Sequence, residues 1–548
     1  MKLPKGVSAA DFNAALKEFR LVVGENWVFT GDEDMHLYRD AYSLVWGEPD
    51  ELVASAAVAP ENVEQVQAVV RIAGKYRIPL FAISTGKNLG YGGSAPNMAG
   101  NVIVDLKRMN KVIEVDDKRN FCIVEPGVSY FDLYKYIHER GFKVMMDVPD
   151  PGWGSPLGNA VDHGLGYTWM NYRDHFGSHC GMEVVLPDGE VMRTGMAAIP
   201  GSKTWAENKY GYGAYVDGLF AQSNFGIVTK MGFWMQPQPD HFLSGQVKVP
   251  KYHDLIPLIN GVNKMEDQGL IGHPRYSCPM DPLCMQMEPE IYKPTPELMA
   301  LNSRPGGSTV EEYQAYAEKQ GHEFWNVMLN FYGPKETVYA NWEYAKKTVF
   351  AAIPGVRFEE IENYAFPLEN PEAIKKVRHK VALGIPNMSI FSIGARSAAM
   401  PEPGDGHAWF SPIVPRNGEE FIHAHKVFTK AAREMNITSA PISVTNVPMS
   451  WQYRTYLYLF PVFVSRSDKE RNRKSVDDFN KLIKLAAENG WSEYRTAPIF
   501  QDAVAATYSF NNNILLRFQE RLKDVIDPHG IMAPGRGGIW PKRYREGA

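Results

Sequence analysis

The chain has 548 residues and a formal net charge of −5, with 58 lysines and arginines against 63 aspartates and glutamates. That near balance excludes the broad basic surface that nucleic-acid binding requires, and no stretch is apolar for the roughly 18 residues a membrane span needs. A chain this long exceeds one hydrophobic core, so two or more domains are expected.

The elements follow in chain order. Residues 8–30 read as a helix and a turn, and LVASAAVAP (52–60) contains a strand. Val63, Val66, Val69, Val70, Ile72 and Ala73 recur at helical spacing, and an apolar strand follows from Ile78 to Ile83. This is a β-α-β unit, and it runs into STGKNLGYGGSAP (84–96). Gly86, Gly90, Gly92 and Gly93 let that loop's backbone approach a ligand closely and turn its N–H groups toward an anion. It is neither GxGxxG nor a P-loop, since Gly164-Leu165-Gly166 meets Trp169 where a third glycine belongs.

Further strands are expected at Val102–Leu106 and Cys122–Val124, and a helix at Tyr130–Arg140. Residues 147–182, rich in glycine, aromatics and histidine, read as irregular and functional. Met182–Leu186 and Val191–Thr194 flank Asp188-Gly189 as a hairpin. Prolines near residue 240 open a second α+β region, and the proline-rich stretches 285–305 and 401–416 read as loops. Cys122, Cys180, Cys278 and Cys284 show no CxxC and no metal-ligand spacing, which suits free, buried thiols. His423 and His425 could pair on a metal, but no third ligand is in view, and no metal is expected. MKLPKGVSAADF has no apolar leader core, so a cytoplasmic address is expected, with a periplasmic one beside a partner protein as the alternative. Twelve Trp, 27 Tyr and 27 Phe fill either a core or a pocket for flat ligands.

Seven segments together resemble the flavoproteins of the vanillyl-alcohol oxidase and para-cresol methylhydroxylase family: NLGYGGSAP (88–96), MDVPDPGWGSPLGNAVDHGLGY (146–167), HCGMEVVLPDGEVMRTGM (179–196), YVDGLFAQSNFGIVTKMGFWMQP (215–237), HAWFSPI (407–413), EYRT (493–496) and DPHGIMAPGRGG (527–538). Their order and spacing carry the likeness, from about residue 50 to 540. It implies an α+β, two-domain flavoprotein. The FAD-binding domain would be 1–243, completed by 491–548, with a substrate cap at 244–490. The resemblance assigns the FAD pyrophosphate to Ser84, Gly86, Asn88, Leu89 and Gly90. It assigns the flavin to segments carrying Ser155, Gly158, Asn159, Cys180, Gly181, Glu183, Ile227 and Val228, with Arg536 at the cofactor's polar edge.

The family binds para-substituted phenols as phenolates, and the matching residues are Tyr91, Tyr494 and Arg495. Ionising a phenol of pKa about 10 near neutral pH takes roughly 4 kcal/mol of differential stabilisation. A permanently charged guanidinium with two phenolic donors suits that task. Asp150 matches a carboxylate expected near flavin N5, with Asp147 as the fallback. His407 matches the family's point of covalent flavin attachment, while Tyr42-Ser43-Leu44-Val45-Trp46 lacks the histidine that relatives carry nearby. Leu457 and Tyr458 match the substrate-pocket strand. The implied electron acceptor is O₂ or a separate cytochrome c subunit, for the chain has no CxxCH. The implied assembly is a homo-oligomer. Two readings compete: a flavin oxidoreductase of 2-hydroxy acids or sugar lactones, and a non-catalytic aromatic-ligand-binding protein.

Overall fold

The computed structural model describes residues 2–368, 370–389 and 405–545. Asn62 caps the helix Val63–Tyr76 by accepting from the Gln65 N–H, and Val66, Val69, Val70 and Ala73 form its buried stripe. Together these four side chains contribute several kcal/mol of apolar burial. The stripe packs on a four-stranded sheet in the order Val28–Phe29, Ala56–Val58, Val102–Asp105, Leu80–Ile83, whose last three strands are parallel. Ala56–Val58 and Val102–Asp105 are buried throughout, as parallel strands covered on both faces must be. The far end of the chain closes this sheet: the Leu80 N–H donates to the Ile531 carbonyl at 2.7 Å, and the Ala533 N–H donates back to the Leu80 carbonyl at 2.7 Å.

A five-stranded antiparallel sheet stands beside it, in the order Val112–Asp116, Phe121–Val124, Ile227–Trp234, His179–Val185, Val191–Arg193. The C-terminal segment joins these two sheets, and the middle of the chain builds a second region. The antiparallel sheet of that region runs Arg275–Ser277, Trp325–Gly333, His241–Val249, Arg357–Ala365. Helices Leu255–Asp267, Val310–Gln320, Gly418–Glu434 and Lys469–Glu488 share one apolar cluster with it. Arg173, fully buried, ties the two regions: it is paired with Glu266 of the second, and its Nε donates to the Trp451 carbonyl at 2.8 Å.

Three expectations change. Residues 147–182 are not irregular throughout, for helices Pro156–Val161, Met170–Arg173 and His175–Ser178 interrupt them. The stretch 285–305 overlaps helices Pro282–Met287 and Pro296–Asn302, each with proline in the first turn, where no N–H is needed. Of 401–416, residues 401–404 lie outside the described residues, and the remainder holds the strands Gly406–Phe410 and Pro412–Pro415 rather than a loop. His425 is buried on a helix between the Tyr252 hydroxyl (3.0 Å) and the Asn446 carbonyl (2.8 Å), whereas His423 faces out. Among the described residues no cluster of three or more His, Cys, Asp or Glu could hold a metal, and no helix is long and apolar enough to cross a membrane.

Candidate active site

Two neighbouring sites are built from segments far apart in the chain. The first is a cleft between the sheets. Of the residues expected to hold a cofactor, Ser84, Gly86, Asn88, Ser155, Gly158, Asn159, Ile227, Val228 and Arg536 line it. Gly158 presses on Ser84 so closely that an added Cβ would collide with the serine hydroxyl. Asn224 lines the cleft as well, and its buried Oδ1 has no partner. A glycine loop, a polar floor and an orphaned acceptor fit an elongated polar cofactor.

Cys180, Gly181 and Glu183 do not line the cleft. Cys180 and Gly181 abut Trp205, and Glu183 is held by Lys230 at 2.7 Å and Arg193 at 2.8 Å. Leu89 and Gly90 do not line it either. Gly90 has another role. At φ 77°, a Cβ there would stand 2.5 Å from Trp409 Cδ1 and 3.1 Å from His407 Cδ2. His407 is 1% exposed, packed between this loop, Tyr42 (ring centroids 5.2 Å) and Trp409 (4.3 Å).

The second site brings together Tyr91, Tyr494 and Arg495. The two tyrosyl oxygens are 3.3 Å apart, and the Arg495 guanidinium carbon lies 3.9 Å from the Tyr91 ring centroid and 5.5 Å from that of Tyr494. The segment 406–415 positions all three. The Trp409 N–H donates to the Gly90 carbonyl at 3.1 Å, fixing the loop that carries Tyr91. Pro412 and Ile413 pair with Glu493 and Ser492, fixing the residue before Tyr494. The Ser411 N–H donates to the buried Glu493 carboxyl at 3.0 Å. Burial pushes that carboxyl's pKa up, against the pull of the Ser411 bonds.

The surroundings are apolar. Tyr91 and Tyr494 share a cluster with Leu165, Leu283, Trp409, Leu457 and Leu459. Burial first, then the neighbouring Tyr494, pushes the Tyr91 hydroxyl well above the usual tyrosine value, so it stays a donor. Burial opposes the Arg495 charge, but Tyr494, Asp162 and Tyr91 outweigh it and the guanidinium remains a cation.

The strand expectation divides. Leu457 faces the cluster. Tyr458 does not: adjacent strand residues point to opposite faces, and its ring stacks on Phe428 at 4.7 Å inside the apolar cluster of the second region. Asp147 is already committed, accepting from the Thr168 N–H at 2.7 Å and from the Thr168 hydroxyl, with His175 Nε2 at 2.7 Å. Asp150 accepts from Ser389 and lines a second cavity with Tyr167.

Sequence reasoning missed Asp162. Its carboxylate accepts from Asn88 Nδ2 at 2.6 Å, is paired with Arg536, and stands 3.5 Å from Arg495 Nη1. It joins the glycine loop to both arginines, and so joins the cofactor cleft to the tyrosine-arginine cluster. An Asp directly after a short helix reads as an ordinary helix end, and nothing local signals the role.

Fold and cleft define a flavoprotein, and comparison with known proteins agrees. The model of the FAD binding domain matches residues 54–195. The 4-cresol dehydrogenase [hydroxylating] flavoprotein subunit of Pseudomonas putida is 32% identical over 98% of this chain and 97% of its own. Among solved structures, 4-ethylphenol oxidase from Gulosibacter chungangensis, in complex with isoeugenol, superposes with a TM-score of 0.82 at 33% identity, covering 99% of this chain and 100% of that one. p-Cresol methylhydroxylase with substrate bound gives 0.82 at 31% identity, covering 98% and 99%. The chain belongs to this family of FAD-dependent oxidoreductases, and FAD is its cofactor.

Proposed function

We propose that the protein oxidises para-substituted phenols at the benzylic carbon. The observation that carries this reading is the convergence of Tyr91, Tyr494 and Arg495 in an apolar cluster, with the two hydroxyls 3.3 Å apart. Two donors and a cation at one point suit an aryl oxide anion. A 2-hydroxy acid would need a receptor for a carboxylate and has no use for paired phenolic donors.

The chemistry follows from ionisation. The two tyrosines and Arg495 stabilise the substrate as phenolate, which sends electron density toward the para carbon. The glycine loop, Ser155, Asn159, Asn224 and Arg536 would hold FAD, which would supply the hydride acceptor. The oxidised substrate is a para-quinone methide, and water adds at its exposed carbon or a neighbouring proton leaves to give an alkene. Asp150 is the base for that water. Adding water, or losing the neighbouring proton, returns the ring oxygen to the phenolate held by Arg495 and the tyrosines, and the product takes up a proton from solvent as it leaves. His407, against the glycine loop, is the proposed point of covalent flavin attachment. O₂ or a separate cytochrome c subunit takes the electrons onward.

Anaerobic titration with 4-ethylphenol and vanillyl alcohol tests the reading. Either phenol should bleach the visible flavin band, and air or added cytochrome c should restore it. A flavin that stays oxidised with both phenols refutes it. Flavin that remains on the polypeptide after acid precipitation supports the link at His407, and complete release refutes it.

A further inference from the structure

Asp150 lines a cavity of about 430 Å³ of which the steps above use nothing else. Tyr167 and Asp150 form one wall, and Arg275, Glu288, Arg378, His379 and Asn330 stand among its other lining residues. Tyr167 also packs edge-on against Trp451, which borders the cluster around Tyr91 and Tyr494. The cavity therefore lies next to the phenol site, with Tyr167, Trp451 and Met287 between them. It is far larger than a methyl or ethyl group, and the end formed by Arg275, Glu288, Arg378 and His379 is charged.

Two features of that end point to a ligand. Arg275 is only about a quarter exposed, and its one bond is from Nη1 to Glu288 at 3.0 Å. Its Nε and Nη2 donors are unspent among the described residues. Asn330, 3% exposed, gives its Nδ2 to the His273 carbonyl at 3.0 Å and leaves Oδ1 buried without a partner. Two guanidiniums, Arg275 and Arg378 (3.6 Å), share the single carboxylate of Glu288. Burial works to raise the Glu288 pKa, but His379, Arg275 and Arg378 outweigh it and hold it at about 2, so Glu288 remains charged and its Oε1 faces both guanidiniums. Lys380 is spent on the Val377 carbonyl at 2.8 Å, and Glu290 is exposed at the rim.

We infer that this cavity receives a para-substituent ending in a carboxylate, with Arg275 as the residue that binds it and the Asn330 carbonyl holding a hydroxyl or water beside it. The substrate class becomes 4-hydroxyphenyl compounds with a short acidic side chain, such as 3-(4-hydroxyphenyl)propanoate. The inference rests on the phenol-oxidising reading and narrows it.

The test compares 3-(4-hydroxyphenyl)propanoate, its methyl ester and 4-ethylphenol as anaerobic reductants of the flavin in the holoenzyme. The acid should bind at least tenfold more tightly than the ester, which has the same ring and no anion. In Arg275→Met, the kcat/KM ratio of acid to 4-ethylphenol should fall at least tenfold. An acid that binds no better than its ester, or a ratio unmoved in Arg275→Met, overturns the inference while bleaching by 4-ethylphenol leaves the broader reading standing. Failure of all three phenols to bleach the flavin overturns both. The acid-ester comparison uses the unaltered protein, so it decides the matter even if the variant fails to fold.

Discussion

Replacing Arg495 with methionine keeps the bulk of the side chain and removes its charge. A phenolate oxygen within hydrogen-bond reach of both tyrosyl oxygens would stand about 5 Å from the guanidinium, whose carbon lies 3.9 Å from the Tyr91 ring centroid. At an effective dielectric constant near 20, that separation is worth about 3 kcal/mol. This is most of the roughly 4 kcal/mol needed to bind a phenol of pKa about 10 as its anion near pH 7. The loss in kcat/KM for 4-ethylphenol should therefore be about two hundredfold at pH 7. It should not be uniform. Without Arg495 the substrate's bound pKa rises, so raising the pH supplies the phenolate that the protein no longer stabilises. The deficit should shrink steadily from pH 7 to 10. Flavin content, measured at purification, should be retained. A loss below tenfold, or one that stays constant across that pH range, would refute phenolate stabilisation as the role of Arg495.

Tyr91→Phe and Tyr494→Phe each delete one donor to a charged oxygen, worth about 1.5–3 kcal/mol, so each should lower kcat/KM ten- to a hundredfold. Because the hydroxyls are 3.3 Å apart, the double variant should lose less than the product of the two, as a double-mutant cycle on the unaltered enzyme and the three variants will report. Gly90→Ala places a Cβ 2.5 Å from Trp409 Cδ1 at φ 77°, which should cut the ratio of flavin to protein absorbance at least twofold; normal flavin content would show that the loop yields freely. His425 is buried, and burial first lowers its pKa from 6.5 to about 4, against the Asn446 bond that raises it. Below pH 6.5 the unfolded chain then binds the proton more readily than the folded one, so stability falls between pH 6.5 and 4, by up to about 3 kcal/mol. Urea midpoints should drop over that window, and the drop should be smaller in His425→Gln; equal drops would remove His425 as the cause.

Much of this was legible because local pattern and tertiary demand agree. The helix Val63–Tyr76 has one apolar stripe and a capping Asn62, and nothing in the fold overrides them. The glycines of 84–96 announced a close approach, and Gly90 meets Trp409 as such a residue should. Proline misled at 406–415, where strand pairing with Phe460–Val464 and with Ser492–Glu493 outweighs loop-like composition. The aromatic run 453–463 points to Tyr458 as readily as to Leu457, and alternation gives the site's face to Leu457 and Leu459. Asp162 was out of reach for a different reason. Its partners Asn88, Arg495 and Arg536 lie 74, 333 and 374 residues away, and no periodicity spans such distances.

The bond from Leu80 to Ile531, with Met532, Ala533 and Arg536 in the cleft wall, sets an order of events in the cell. A ribosome must release almost the whole polypeptide before the nucleotide's berth can close, because its last wall is translated last. The complete berth therefore exists only once residues 531–536 have been made. A nascent chain stalled short of residue 531 would carry every glycine of the loop and still leave the berth open.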